Sequence, residues 1–545
     1  MRSTCLIGAL LGVSVLSSDG AGPVLTHMHP AGVTPGTTTP VKLSGKFDPW
    51  PCQVWTASPG IVFTAGKEAG SFDVTVAPEV PAGPHLIRAF NGEDVSAPIA
   101  MVVDRTPQTL DAEPNDDFRA PQELPVATAT INGKHGKGGD VDSFAVNLKK
   151  GQVLVAWVEA YLLAAGFDGM LRIVNQEGGT LAFNHDHTTM DPFLVFTAPD
   201  DGRYIVQTMG HKYPASSDIN FAGGDDCVYR LHLSTGPVVR HTWPLAVQRG
   251  EKRSVTLDGW NLTVPVAEIE ASVPPAFPVT FSDVPEVSEL PETQTLIVPS
   301  AVSGRIEAAG SEDRYQFTAS KDARLELSVT GPRYGSEIDA WLKIRDPQGK
   351  ELATNDDEGG STEARLSWTA PADGIYTAAV GDLTQRGGRD FYYRLLITPA
   401  APAVSAAIAS HSAKVEAGKA AELKVSITHT NGFAPKLKLT AKNLPAGVTA
   451  EEKEVPEKAG EVTLSLTAAA SAPVASQPFQ LVLREVEGGK EYPVQFSMVS
   501  VSENNGVPQG YRQLLINATD QLWLTVAAPP PAHPAPAAEP IPAAK

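Results

Sequence analysis

Asp111, Glu113, Asn115 and Asp116 place four oxygen-bearing side chains within six residues, and Asp140 and Asp142 follow one turn later. Hard oxygen donors, several of them anionic, suit Ca2+, which takes about 6–8 such ligands. In an extended segment, positions 111, 113 and 115 share one side, and Asp140 and Asp142 are placed to close the site. The competing reading is a solvated linker whose Asn and Asp side chains cap turns.

Other polar clusters point to less. Asp168 and Asp339 precede strands, and Asn184/Asp186 and Asn355/Asp357 sit in the turns that follow. Turn capping of backbone N–H groups is the expected role; the alternative is a second polar or metal site at the loop end of the sandwich. His27-Met28-His29 and His185-Asp186-His187 have the spacing of a strand-borne metal pair but lack a third ligand in register, so they are expected to be surface-loop histidines. No Gly-x-Ser-x-Gly, His-Glu-x-x-His, cysteine-protease signature or phosphate loop occurs. The chain is therefore expected not to be an enzyme. Trp50, Trp55, Trp243, Trp260 and Tyr213 could stack on sugars or grip a peptide, but single aromatics are more often core fillers or interface fillers between small β domains. Cys52 and Cys227, which lie in different expected domains, read as separate buried thiols.

The elements that position these residues are duplicated. Ile131-Asn132-Gly133 recurs as Val302-Ser303-Gly304, Asp142-Ser143-Phe144 as Asp313-Arg314-Tyr315, and Asn184-His185-Asp186 as Asn355-Asp356-Asp357, all offset by 171 residues. Pro199-Asp200-Asp201-Gly202-Arg203-Tyr204 recurs as Pro371-Ala372-Asp373-Gly374-Ile375-Tyr376. A repeat of this length is a copied domain, not a solenoid unit. A shorter pattern precedes each copy: Pro30, Val33, Gly36, Val41, Leu43 and Gly45 match Pro244, Val247, Gly250, Val255, Leu257 and Gly259. The acidic entry to the second copy, Glu286 to Glu292, lacks the Asn-Asp pair, so a weak or absent metal site is expected there.

Short alternating segments throughout, with 47 glycines and 46 prolines, predict an all-β chain. The expected architecture is tandem β-sandwich domains arranged as beads on a string. The boundaries read as an export signal at 1–22, a small domain at 24–104, a larger one at 111–235, their repeats at 238–290 and 295–398, and an immunoglobulin-like sandwich at 403–500. An extra strand or linker follows at 501–526, then a disordered Pro/Ala tail at 527–545.

The ordered series Glu113-Pro114-Asn115-Asp116, an Asn-Gly strand, Asp140-Val141-Asp142-Ser143-Phe144, Asp168, Asn184-His185-Asp186, Asp201-Gly202-Arg203-Tyr204 and Tyr229-Arg230-Leu231 resembles the bacterial pre-peptidase C-terminal (PPC) domain. Residues 295–398 resemble it over their second half, and the two small domains resemble the immunoglobulin-like TIG domain. The resemblance implies jelly-roll-like sandwiches, similar to the collagen-binding domains of clostridial collagenases, that serve secreted enzymes as binding or processing accessories. In those relatives the matching acidic stretch binds calcium, which carries over to Asp111, Glu113, Asn115 and Asp116; this chain has Asp at the first of these positions where the relatives have Glu.

With 62 acidic and 43 basic residues the net charge is −19, which repels nucleic acid and anionic membranes. Arg2 and the short apolar run from Cys5 to Leu16 read as a cleaved export signal, and no later segment is apolar enough to form a transmembrane span. The expectation is a secreted, periplasmic or cell-surface protein with a non-catalytic binding or spacing role, stabilised by Ca2+. Its partner would be an extracellular polysaccharide, a matrix protein or a secreted hydrolase that it helps to mature.

Overall fold

The computed structural model describes residues 22–124, 128–187, 190–213, 217, 219–270, 277, 279–290, 293–357, 363–458, 460–499 and 515–528. Nearly all of the expected export signal, and the Pro/Ala tail from residue 529 on, lie outside these. Among the described residues every regular element is a strand except two 3-10 turns, Tyr161–Leu163 and Pro332–Tyr334, so the chain is all-β as its alternation predicts. None of the described helices is long and apolar enough to cross a membrane.

The two copies of the long repeat form sandwiches of identical strand order. In the first, one sheet runs Gln122–Glu123, Asp142–Leu148, Gly202–Lys212, Phe167–Val174, Thr180–Asn184. The facing sheet runs Phe193–Thr197, Val153–Glu159, Val228–Ser234, Ala129–Lys134, Gln108–Leu110. The second sandwich repeats this with Gln294–Leu296, Glu312–Ala319, Gly374–Asp382, Ala340–Arg345, Glu351–Asn355 against Ala364–Thr369, Arg324–Thr330, Tyr392–Pro399, Ser300–Arg305, Glu286–Ser288. Inward residues such as Phe144, Leu154, Leu171 and Leu231 fill the first core, and Phe317, Leu327, Leu342 and Leu395 fill the second. Burying such side chains away from water is the main favourable contribution to folding.

The recurring motifs have physical causes. Gly133 has no side chain because Tyr229 lies across it: a Cβ there would stand 2.1 Å from the tyrosine Cζ. Gly304 lies under Tyr393 in the same way, with the Tyr315 and Tyr393 hydroxyls both 2.5 Å from the Cβ position. The Gly-x-Tyr pair at 202–204 builds a tyrosine corner, with the Tyr204 hydroxyl donating to the Asp200 carbonyl at 2.7 Å and that of Tyr376 to the Ala372 carbonyl at 2.7 Å.

The small domain before each sandwich is tied to it by the same joint. Gly32 N–H donates to Asn132 Oδ1 at 2.8 Å, and Leu245 N–H donates to Ser303 Oγ at 2.8 Å. Arg230, 1% exposed, donates to both Asp104 and Glu159, while its counterpart Arg394 donates to Glu286 and to Ser282 Oγ. The first small domain is itself a sandwich of two four-stranded sheets, and the second is reduced to sheets of three and two strands.

In the C-terminal sandwich, Ala420–Thr430 alternates as read, with Leu423, Val425 and Ile427 turned inward. The segment left open as strand or linker contributes strands Leu515–Thr519 and Leu522–Ala527. The latter pairs with Ser412–Glu416 and Ala475–Glu485. This sandwich also touches the first small domain. Trp523, fully buried, meets Trp55 and Phe90 at ring distances of 5.5 and 4.8 Å, and Arg88 donates to the Gln521 carbonyl at 2.9 Å.

Candidate metal centre

The strand Gln108–Leu110 runs parallel to Ala129–Lys134, and the chain then crosses the end of the first large sandwich. Asp111 N–H donates to the Asn132 carbonyl at 3.0 Å, and Ser143 N–H donates to the Asn115 carbonyl at 3.2 Å. Between these anchors the chain is a folded loop, in place of the extended segment that the spacing suggested. Asn115 N–H donates to Glu113 Oε2 at 3.0 Å, and Asn115 Nδ2 donates to Asp111 Oδ1 at 2.6 Å. Asp140 and Asp142 come from the turn leading into Asp142–Leu148.

The loop brings all six sequence-derived residues together. Ligand atoms of Asp111, Glu113 and Asp142 lie within 4.8 Å of one another, as do those of Glu113, Asp116 and Asp140. Asp140 and Asp142 are fully buried and Asn115 nearly so, whereas Glu113 faces solvent. Asp142 Oδ2 accepts the Tyr229 O–H at 2.5 Å, Asp140 Oδ2 accepts Gly136 N–H at 2.5 Å, and Lys137 Nζ donates to Asp116 Oδ2 at 2.7 Å. Four buried oxygens find no donor among the described residues: Oδ1 of Asn115, Asp116, Asp140 and Asp142. Buried acceptors left in this state are costly unless a cation or proton meets them.

The electrostatics agree. Burial pushes the Asp111 carboxyl up to about 7, with the charges of Asp142 and Glu113 adding to it. Asp140 is pushed up to about 6 by burial, by the neighbouring Asp116 carboxyl and by the charge of Asp142. Asp116 is held below its ordinary value by its contact with Asp140 and by Lys137. Five carboxylates and one amide carbonyl gather in this loop and turn with Lys137 beside them, a hard, anionic donor set of the kind Ca2+ takes.

Three participants were not read from the sequence. Lys137 and Tyr229 supply hydrogen bonds, and His135 is fully buried beside Asp140 and Asp142. The Tyr229-Arg230-Leu231 repeat marked the tyrosine; nothing in one sequence marks the histidine.

The equivalent place in the second large sandwich is built differently. Glu289 stands where Asp111 does, its N–H donating to the Ser303 carbonyl at 2.9 Å. Asp313 replaces Asp142 and accepts the Tyr393 O–H at 2.7 Å, but Phe144 has become Tyr315, whose hydroxyl lies 2.7 Å from that of Tyr393. Ile306 and Ser311 replace His135 and Asp140. Hydroxyl donors occupy the position that in the first copy is surrounded by acceptors.

The remaining candidates divide. Asn184 Oδ1 accepts Phe193 N–H at 2.9 Å and Asn355 Oδ1 accepts Arg365 N–H at 3.0 Å, so both asparagines cap turns. Asp168 faces His185 at 3.2 Å, and Asp339 N–H donates to Asp382 at 3.0 Å. His27 and His29 correct the surface-loop expectation: they lie on the strand Val24–His29, with His27 buried and Nε2 3.1 Å from the Ala164 carbonyl. A bulge between Leu25 and His27 leaves Leu25 and Met28 facing the small domain's core while His27 faces the first large sandwich, and burial lowers the basicity of both histidines. Trp50 packs on Phe72 in the core of the first small domain, and Trp260 packs on Phe193 of the first large sandwich as an interface filler. Cys52 and Cys227 are free and buried, and burial pushes the Cys227 thiol up to about 12.

Comparison with known proteins gives one family. The model of the bacterial pre-peptidase C-terminal domain matches residues 311–382, within the second large sandwich, although the sequence resemblance rests chiefly on the first. No curated protein matches the chain. Among solved structures, the pre-peptidase C-terminal domain of a collagenase from Bacillus anthracis is similar at 14% identity, covering 20% of this chain and 98% of its own, with a TM-score of 0.17. The protein SGBP-B of the Bacteroides ovatus mixed-linkage glucan utilization locus, solved with a mixed-linkage heptasaccharide, is similar at 10% identity, covering 68% of this chain and 71% of its own, with a TM-score of 0.13. Trypsin-activated α2-macroglobulin from Escherichia coli is similar at 9% identity, covering 93% of this chain and 49% of its own, with a TM-score of 0.15.

Proposed function

We propose that this is a secreted, non-catalytic binding and spacing protein. It holds an extracellular polymer or partner protein on tandem β-sandwiches, and Ca2+ fixes one of its junctions. In this reading residues 111–235 form a second pre-peptidase C-terminal domain, and 24–104 and 238–290 are TIG-like. The single observation that carries the calcium part is the set of four buried oxygens without donors in the first copy, against the hydroxyl-filled equivalent in the second. Asp111, Glu113, Asn115, Asp116, Asp140 and Asp142 would hold the ion. Bound there, Ca2+ supplies positive charge and rigidity. It would tie the loop after Gln108–Leu110 to the turn before Asp142–Leu148, next to the Asp104–Arg230 pair that joins the small domain to the sandwich.

Scanning calorimetry with Ca2+ and after chelation tests the metal. An upward shift of one transition is expected, and superimposable curves sink it. A glycan and matrix-protein array with and without Ca2+ tests the ligand class. The family description favours a second reading, a maturation partner of a secreted peptidase, which predicts co-purification with such an enzyme.

A further inference from the structure

The acidic centre contains a donor that Ca2+ has little use for. His135 is fully buried, and neither ring nitrogen makes a hydrogen bond among the described residues. Its Nδ1 stands 3.2 Å from Asp142 Oδ2, but off the direction in which an N–H would donate. Phe167 meets the ring edge-on at 5.0 Å and Tyr229 covers it at 4.9 Å, so the imidazole is held in place with its polar atoms unsatisfied. A ring nitrogen of His135 and carboxylate oxygens of Asp140 and Asp142 lie within 4.8 Å of one another. Both carboxylates keep an Oδ1 without a donor.

We propose that His135, Asp140 and Asp142 form a separate, deeper position for a divalent transition ion of the Zn2+ kind, below the outer all-oxygen position of Asp111, Glu113, Asn115 and Asp116. Neutral imidazole with two carboxylates is a borderline-soft set that suits Zn2+ and its first-row neighbours, whereas Ca2+ is held by oxygen alone. Three protein ligands leave coordination open, and Asp140 and Asp142 stand between the two positions. The second large sandwich lacks the trio, having Ile306 and Ser311 at the matching places. This inference rests on the cluster being a cation centre, as proposed above, but not on which ion fills the outer position.

The test uses the full chain, stripped of metal and then saturated with Ca2+, titrated with Zn2+ by calorimetry and with Co2+ by visible absorption. One equivalent should bind. Partners outside the coordination sphere are alone worth about 10–100-fold in affinity, so His135→Gln should weaken Zn2+ by ~100-fold or more. The thermal shift produced by Ca2+ should persist in that variant, which also shows that it folds. Should the variant not fold, pulsed EPR of the Ca2+-saturated wild-type chain with one equivalent of Cu2+, which like Zn2+ favours imidazole, decides, since nitrogen coupling is expected and its absence overturns the proposal. Zn2+ binding that is missing, or unchanged in His135→Gln, also overturns it. Zn2+ binding without any Ca2+ shift would sink the calcium reading and leave this one standing.

Discussion

Replacing Asp111 with Asn should reverse its effect on stability according to whether Ca2+ is present. In the metal-free chain the Asp111 carboxyl is pushed from 3.8 to about 7. The folded state therefore holds a proton that the unfolded state has released, and stability present below pH 3.8 is lost as pH rises towards about 7. The full difference converts to about 4 kcal/mol, and partial exposure and relaxation of the loop reduce this to ~2 kcal/mol. The substituted amide would carry no charge and can still face Asn115. Metal-free Asp111→Asn should then match the wild type near pH 4 and exceed it by ~2 kcal/mol at pH 7.5, or roughly 10 °C for a domain of this size. With Ca2+ at about 100 times its dissociation constant the wild type gains about 2.7 kcal/mol, most of which the variant forgoes, so the order inverts. Thermal unfolding followed by intrinsic fluorescence, at four pH values in both buffers, reads the crossing. The same order in both buffers, or a pH-independent difference without metal, would refute the reasoning.

Gly133→Ala and Gly304→Ala should each cost about 1–3 kcal/mol or more in urea unfolding, because the new methyl meets a buried tyrosine ring or hydroxyl. Tyr204→Phe and Tyr376→Phe should each lose about 1 kcal/mol with the tyrosine-corner bond, and a null effect at both would sink that assignment. Arg230→Met should cost about 3–5 kcal/mol by stranding Asp104 and Glu159, whose carboxyl His232 and Arg230 hold at about 2 against its burial. Proteolysis between the first small domain and its sandwich should accelerate in the same variant.

Strand content and the ordering of the duplicated sandwiches were legible because period-two alternation is local, as in Leu423, Val425 and Ile427, and because two copies in one chain make each motif its own control. The acidic loop was legible for a related reason: four of its six ligand candidates are near neighbours in sequence. Asp104 and Arg230 were not, since 126 residues separate two groups that meet only through the folded joint. His135 escaped for want of any pattern, its meaning arising from burial against Phe167 and Tyr229. His27 was misplaced because what covers it, the Ala164 turn of the first large sandwich, lies 137 residues away in sequence.

Trp523 lodges against Trp55 and Phe90, more than four hundred residues earlier in the chain. Such a clasp closes a loop through all the intervening modules. A nick in any connecting segment would leave two fragments still gripping each other. Tension applied at residues 24 and 526 would first have to slide one sandwich across the other before stretching the joints between them.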